Sequence, residues 1–162
     1  MHDLTLVRHG QAQTGAKTEA SYDNLSELGH QQARLLGEHI QASHGYDHVI
    51  SGGLNRQVQT ARGLGLDAPL NVDDRLNEMD YFGLAASLEA RAGVPWPTNE
   101  AEFVSHVPQL LTAWRDGDIE EGLESYDDFC GRITSALEDA AKLKGRVLMV
   151  TSAGVIATLT TL

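Results

Sequence analysis

The chain has 162 residues, of which 41% are hydrophobic and 22% are charged, and its net charge at pH 7 is −11. This length and composition are typical of a globular protein with a core of its own, and we expect a single domain over residues 1–162. No stretch approaches the roughly 18 consecutive apolar residues of a membrane span. The acidic balance argues against nucleic acid or an anionic membrane as a partner.

The first residues and the cysteine content both indicate the cytoplasm. The opening MHDLTLV lacks the basic and long apolar regions of a signal peptide. Cys130 is the only cysteine in the sequence, so it cannot form a disulfide within the chain. We expect it to be a buried, reduced thiol.

The chain opens with a predicted strand, a polar loop and a long helix. The apolar run LTLV at 4–7 suits a strand buried on both faces of a parallel sheet. A polar, glycine-containing loop follows at 11–25. A helix is then predicted over 26–43, with Ser26 as its cap. Its apolar residues are predicted to share one face: Leu28, Leu35, Leu36 and Ile40.

The middle of the chain repeats this alternation. A short apolar run predicts a second strand at 48–50, and helical spacing predicts a helix at 54–64. The stretch 79–99 carries no motif and is interpreted as loop. An apolar stripe predicts a further helix over 103–114, in which Pro108 should produce a kink or a restart.

The last part of the chain contains the clearest helical pattern. Apolar residues predict a helix over 125–140, and Ser125 with Asp128 three residues later resembles a capping box. A strand is predicted at 146–150 (RVLMV). A final helix is expected to begin near Ala153.

This order of elements predicts an α/β fold, with a mostly parallel central sheet flanked by helices in a three-layer sandwich. In such sheets ligands bind at the carboxyl ends of the strands. Three strand ends carry residues suited to an anion: Arg8-His9-Gly10, Ser51-Gly52-Gly53 and Thr151-Ser152-Ala153-Gly154. The sequence therefore predicts one anion site at this edge of the sheet.

The segment SGGLNRQVQTA at 51–61 adds detail to that site. Its two glycines would let backbone amides approach a ligand, and the start of the following helix favours an anion. Arg56 lies in the first turns of this helix, where its guanidinium could bind a phosphate bidentately. Taken alone, a Gly-Gly turn is a weak signal.

Six motifs together resemble the histidine phosphatase superfamily, also called the phosphoglycerate mutase-like family. They are LVRHGQA, LSELGHQQA, SGGLNRQVQTA, LNE, ESYDDF and VTSAGVI, in this order. The resemblance covers nearly the whole chain, and the Arg-His-Gly motif is its most specific feature. Family members usually continue past the equivalent of residue 162, so the resemblance implies a C-terminally shortened fold.

The resemblance implies a role for each candidate residue. His9 matches the nucleophile that takes the phosphoryl group, which requires a neutral imidazole whose other nitrogen is held. Arg8 and Arg56 match the two phosphate-binding arginines, and Glu78 matches the proton donor to the leaving oxygen. On chemistry alone, Asp80 and Glu27 compete with Glu78 for the acid role.

At Ser152 the sequence departs from the family, which normally has a second histidine there. A serine hydroxyl donates one hydrogen bond but carries no positive charge. We expect Ser152 to contact the phosphate and the enzyme to be active but slow. The alternative is that Ser152 only caps the final helix.

The sequence predicts a phosphoric monoester hydrolase that acts on a small phosphorylated substrate, without a metal or another cofactor. Histidines, acids and Cys130 show no convincing metal-ligand spacing. Two other functions stay open, a phosphoglycerate mutase and a phosphate-binding module whose catalysis has decayed. The sequence leaves the oligomeric state open, a homodimer included.

Overall fold

The computed structural model describes residues 3–14, 18–43 and 45–161. Its strands are β1 (Asp3–Arg8), β2 (His48–Ser51), β3 (Leu70–Val72) and β4 (Arg146–Thr151). Its α-helices are α1 (Glu19–Tyr22), α2 (Glu27–Gln41), α3 (Asn55–Gly63), α4 (Tyr81–Ala92), α5 (Glu100–Arg115), α6 (Tyr126–Ala141) and α7 (Ala153–Leu159). A short 3-10 helix spans Asp74–Leu76.

Within the described residues the four strands form one sheet in the order β1-β4-β2-β3, and each neighbouring pair is parallel. The register pairs Arg8 with Thr151 and Ser51 with Val150. The carboxyl ends of β1, β4 and β2 therefore meet at one edge, as the sequence predicted.

Both faces of the sheet are covered. On one face Val49 and Leu148 pack with Ile40 of α2 and with Leu64, which directly follows α3. Strand side chains alternate between faces, so Met149 lies on the opposite face, where it is also fully buried. A parallel sheet buried on both sides confirms the predicted α/β sandwich.

Helix α2 begins at the predicted cap, because Ser26 Oγ accepts the Gly29 N–H at 3.1 Å. Its buried face differs from the prediction. Leu28 and Leu35 are 48% and 57% exposed, and the buried positions are mainly small residues: Gly29, Ala33, Gly37 and Ile40. A Cβ on Gly37 would lie 2.0 Å from the carbonyl oxygen of Leu64, directly after α3. The two backbones therefore pack closely here, where the sequence predicted a face of leucine side chains.

The chain divides into two compact units, Met1–Glu78 with Arg132–Leu162 and Met79–Gly131. The first unit contains the whole sheet with α2, α3 and α7. In the second unit Trp114 is buried, and its ring packs against the rings of Tyr126 and Phe129 at centroid distances of 5.2 and 5.1 Å. Its indole N–H donates to the Glu124 carbonyl at 2.7 Å.

Three sequence predictions concern the second unit, and two of them are wrong. The stretch 79–99 contains α4, which begins at the Asp80 cap and ends at Gly93 in the left-handed conformation. Helix α5 continues through Pro108 without a restart, so of the two predicted effects of this proline only the kink stays a prediction. Pro108 is exposed, so water can satisfy the carbonyl that loses its N–H partner. Cys130 is half-buried and not fully enclosed.

Ser125 caps α6 as predicted, since its Oγ accepts the Asp128 N–H at 3.1 Å. The predicted apolar face of α6 is largely buried, with Phe129 and Ile133 at 0% exposure. None of the helices in the described part of the chain has the length and apolar character needed to span a membrane.

Candidate active site

His9 lies directly after β1, where the pairing with β4 fixes its backbone. Its N–H donates to the Thr151 carbonyl at 2.9 Å, and only 8% of the residue is exposed. Its Nδ1 lies 2.7 Å from the Gly10 carbonyl oxygen. A carbonyl only accepts hydrogen bonds, so Nδ1 carries the proton of the neutral ring and Nε2 holds the lone pair.

Several groups around His9 set its protonation state. Burial lowers the pKa of His9 from 6.5 to about 4, because an imidazolium would lose its hydration. The positive charges of Arg56 and Arg8 lower this pKa further, whereas the Gly10 carbonyl and the Asp23 carboxylate oppose the shift. The imidazole is therefore neutral at pH 7, and both arginines lie close enough to act on it.

Arg56 extends from the first turn of α3 and is only 2% exposed. Its Nη1 donates to Asp23 Oδ1 at 3.0 Å, and its guanidinium carbon lies 4.9 Å from the centre of the Tyr22 ring. A buried cation is costly without a paired carboxylate, so Asp23 holds the guanidinium in place as a charged group. Arg8, in contrast, is exposed at the end of β1.

An open cleft of about 390 Å³ lies at this edge of the sheet. It is lined by Arg8, His9, Gly10, Gln11 and Gln32. Gln32 Oε1 accepts the Gln11 N–H at 2.8 Å, which ties the loop after β1 to α2. The cleft thus presents a nucleophilic nitrogen, a cation and polar amides, a combination suited to a phosphate ester.

The backbone N–H groups at the start of α3 are already bonded to side chains of the protein, so they do not bind a ligand as the sequence predicted. Asp23 accepts the N–H groups of Asn55 and Arg56 at 2.9 and 3.2 Å. The Asn77 side chain accepts the Gly53 N–H at 2.6 Å. A Cβ on Gly53 would lie 1.9 Å from a carboxylate oxygen, so this glycine makes room for a neighbouring side chain.

Ser152 is fully buried between β4 and α7. Its Oγ accepts a hydrogen bond from Gln57 Nε2 at 2.8 Å. It occupies the N-cap position of α7 but its side chain makes no capping bond. The alternative that Ser152 only caps this helix is therefore wrong.

Glu78 contacts the first turn of α7, where its Oε2 accepts the N–H of Gly154, two residues after Ser152, at 3.0 Å. The two competing acids have other surroundings. Asp80 caps α4 by accepting the Gly83 N–H at 2.9 Å, and Glu27 is exposed at the start of α2. The assignment of Glu78 as the acid stays a prediction. Within residues 3–14, 18–43 and 45–161, no group of three His, Cys, Asp or Glu side chains could hold a metal ion.

The sequence model of the histidine phosphatase superfamily (branch 1) matches residues 4–162. The chain belongs to this superfamily. The resemblance seen in the motifs is thereby confirmed, and membership supports a phosphatase or a phosphoglycerate mutase-like enzyme.

Similar proteins carry names of both kinds, phosphatase and phosphoglycerate mutase-like. Phosphoglycerate mutase-like protein 4 of Arabidopsis thaliana is 29% identical, over 97% of this chain and 69% of that protein. The structure of mycobacterial glucosyl-3-phosphoglycerate phosphatase with VO3 is 27% identical, with a TM-score of 0.66 over 98% of this chain and 79% of the other. The α-ribazole phosphatase of Shigella flexneri shares the fold, with 23% identity and a TM-score of 0.68 over 98% and 77% of the two chains.

Three residues of this candidate site do not follow from the sequence: Asp23, Gln57 and Thr60. Thr60 Oγ1 accepts the Gly10 N–H at 3.0 Å and donates to the Arg56 carbonyl at 2.7 Å, which links the loop after β1 to α3. A signal existed for Gln57 and Thr60, because they share the buried side of α3 with Arg56. Nothing in the sequence pattern marks Asp23.

Proposed function

We propose that this chain is a phosphatase that hydrolyses small phosphomonoesters through a phosphohistidine on His9. The observation that carries the proposal is the state of His9, a buried neutral imidazole whose Nδ1 is held by a carbonyl. Its Nε2 lone pair is available at neutral pH, beside the cationic Arg8 and Arg56. This is the arrangement that nucleophilic attack on a phosphoryl group requires.

In the first step Nε2 of His9 bonds to phosphorus, and the bond between phosphorus and the substrate oxygen breaks. Arg8 and Arg56 stabilise the negative charge on the phosphoryl oxygens. Glu78 in its protonated form gives its proton to the leaving oxygen, so that an alcohol departs.

In the second step water attacks the phosphorus of the phosphohistidine, and the bond between phosphorus and nitrogen breaks. The ionised Glu78 accepts the proton of the water, which returns both Glu78 and His9 to their starting states. The two guanidinium groups supply the positive charge that phosphoryl transfer needs. We therefore expect the reaction to need no metal. We expect the substrate to be a small phosphorylated metabolite of the cytoplasm.

The likeness to phosphoglycerate mutase-like protein 4 favours a second candidate, transfer of a phosphoryl group between two hydroxyls of phosphoglycerate. A mutase would need a phosphorylated His9 before each cycle and a bisphosphorylated intermediate. The relative that is named a phosphatase at 27% identity supports hydrolysis instead.

The two candidates separate in one experiment on the purified chain. 4-Nitrophenyl phosphate and 3-phosphoglycerate are supplied in separate reactions, each with and without 2,3-bisphosphoglycerate. Hydrolysis without bisphosphoglycerate supports the phosphatase. Isomerisation that appears only after priming supports the mutase, and phosphate binding without either reaction indicates a site whose catalysis has decayed.

A further inference from the structure

Gln57 is a fully buried glutamine whose side chain makes three hydrogen bonds. Its Oε1 accepts the Leu54 N–H at 3.2 Å. Its Nε2 donates to the Leu76 carbonyl at 3.1 Å and to Ser152 Oγ at 2.8 Å. Both Gln57 and Ser152 have 0% exposure, so bulk water does not compete for these bonds.

The two backbone partners determine which way the Gln57 amide faces. The Leu54 N–H needs an acceptor, which only Oε1 supplies, and the Leu76 carbonyl needs a donor, which only Nε2 supplies. In the flipped amide, Nε2 would face the Leu54 N–H, donor against donor, and Oε1 would face the Leu76 carbonyl, acceptor against acceptor. Nε2 therefore faces Ser152 as a donor, and Ser152 Oγ must act as the acceptor of this bond.

This bond leaves the Ser152 hydroxyl with its own proton to donate elsewhere. Among the described residues, Gln57 is the one hydrogen-bond partner of Ser152 Oγ. Ser152 directly follows Thr151, whose carbonyl accepts the His9 N–H, so Ser152 and His9 follow neighbouring strands at the same edge of the sheet. A buried hydroxyl with an unmatched proton is suited to donate to an anion that arrives there.

The fold keeps space for this glutamine. A Cβ on Gly52 would lie 2.0 Å from Gln57 Oε1, so no larger residue fits at position 52 while the glutamine is in place. The Gln57 amide in turn occupies the volume next to Ser152. A larger side chain at position 152 would meet this amide first.

We propose that Gln57 is a positioning residue that holds Ser152 Oγ as a hydrogen-bond donor to the phosphoryl group bound at His9. This inference rests on the proposed phosphatase function. Gln57 itself does not touch the substrate. It donates a hydrogen bond to the Ser152 oxygen, so that the hydroxyl proton is left for the phosphoryl group.

Gln57→Glu tests the proposal, because it keeps the shape of the side chain and replaces its donor by an acceptor. The Ser152 proton is then drawn to the new carboxylate and is lost to the phosphoryl group. We expect kcat on 4-nitrophenyl phosphate to fall about 100-fold in Gln57→Glu and in Ser152→Ala, near the lower limit for loss of one such donor. The double variant should be no slower than Ser152→Ala, and KM should change little.

Gln57→Met serves as a second variant, because it carries no charge and also removes the donor. Two controls report on stability without the site: Ser87→Ala, a buried serine of α4 whose Oγ accepts the Glu120 N–H at 2.8 Å, and Gln41→Met, which loses a bond to the Gly65 carbonyl. Both controls should lower Tm and keep the wild-type kcat.

Affinity for orthovanadate is measured beside turnover, so that the two proposals can fail separately. If the wild type hydrolyses nothing, the phosphatase proposal fails, and equal weakening of vanadate binding in Ser152→Ala and Gln57→Glu still supports the role of Gln57. If Gln57→Glu lowers kcat or vanadate affinity by the same factor with and without Ser152, the glutamine is only structural and the inference is wrong. A Ser152→Ala variant with wild-type kcat and vanadate affinity would also overturn it.

Discussion

Replacing His9 by glutamine should remove a pH-dependent part of the stability of this protein. Burial lowers the pKa of His9 from 6.5 to about 4. Between these two values the unfolded chain binds a proton at this residue and the folded protein does not. The favourable contribution of the neutral ring is therefore complete above pH 6.5 and is lost as the pH falls toward 4.

The size of the effect follows from the same two pKa values. Each tenfold change in proton affinity corresponds to about 1.4 kcal/mol, so the shift from 6.5 to about 4 is worth about 3 kcal/mol. About 2 kcal/mol of this unfolding free energy is lost when the pH is lowered from 7 to 5. The residue is only 8% exposed, so solvent screening reduces this figure little.

Urea unfolding of wild type, His9→Gln and His30→Gln at pH 7 and pH 5 measures this difference. His30 lies exposed on α2 and controls for the loss of a histidine. Burial also lowers the pKa of His106, but all three proteins retain this residue, so its contribution cancels. Between pH 7 and pH 5, wild type and His30→Gln should lose about 2 kcal/mol more unfolding free energy than His9→Gln. Equal losses in all three proteins would refute the reasoning.

Glu78→Gln should slow alkyl phosphates about 100-fold more than aryl phosphates, because an aryl oxide leaves without a proton; equal slowing of both substrates would deny Glu78 the acid role. Asp23→Asn should lower Tm, because it leaves the buried Arg56 with a weaker partner. Inorganic phosphate should then raise Tm more in this variant than in wild type by supplying the missing anion, and an equal rise would count against the pairing. EDTA should leave turnover unchanged, since arginines supply the positive charge; inhibition that magnesium or zinc reverses would reveal a metal requirement.

The edge of the sheet at which the candidate site lies could be predicted, because it depends only on where each apolar strand ends in the sequence. The half-buried strand β1 ends at Arg8 and the buried strand β4 ends at Thr151, and their parallel pairing brings both ends together. The cap at Ser26 was predictable for the same reason, since it depends on residues within one turn.

Contacts between distant segments could not be predicted. Asp23 binds Arg56 across 33 residues of chain, and a lone aspartate in a polar loop resembles any solvated carboxylate. The spacing of large apolar residues predicts a leucine face for α2, because such a pattern gives no weight to glycine. The structure instead uses Gly29 and Gly37, whose value is the close approach they allow.

Short elements and weak signals account for the remaining differences. Strand β3 has only three residues at the edge of the sheet, with Val72 55% exposed, which is too little pattern to identify. The sequence of helix α4 does contain start and stop signals, since Asp80 caps its start and Gly93 ends it. Gln57 donates to Ser152 at a separation of 95 positions, which hides their pairing from any local sequence pattern.

The most direct test of the central claim is the chemical identity of the reaction intermediate. The enzyme is mixed with an aryl phosphate labelled at phosphorus, quenched within milliseconds, and the protein-bound phosphate is located by peptide mass spectrometry. We expect acid-labile, base-stable phosphate on His9, absent from His9→Gln and still present in His30→Gln. Turnover with no phosphate on His9, or with wild-type rates in His9→Gln, would contradict it.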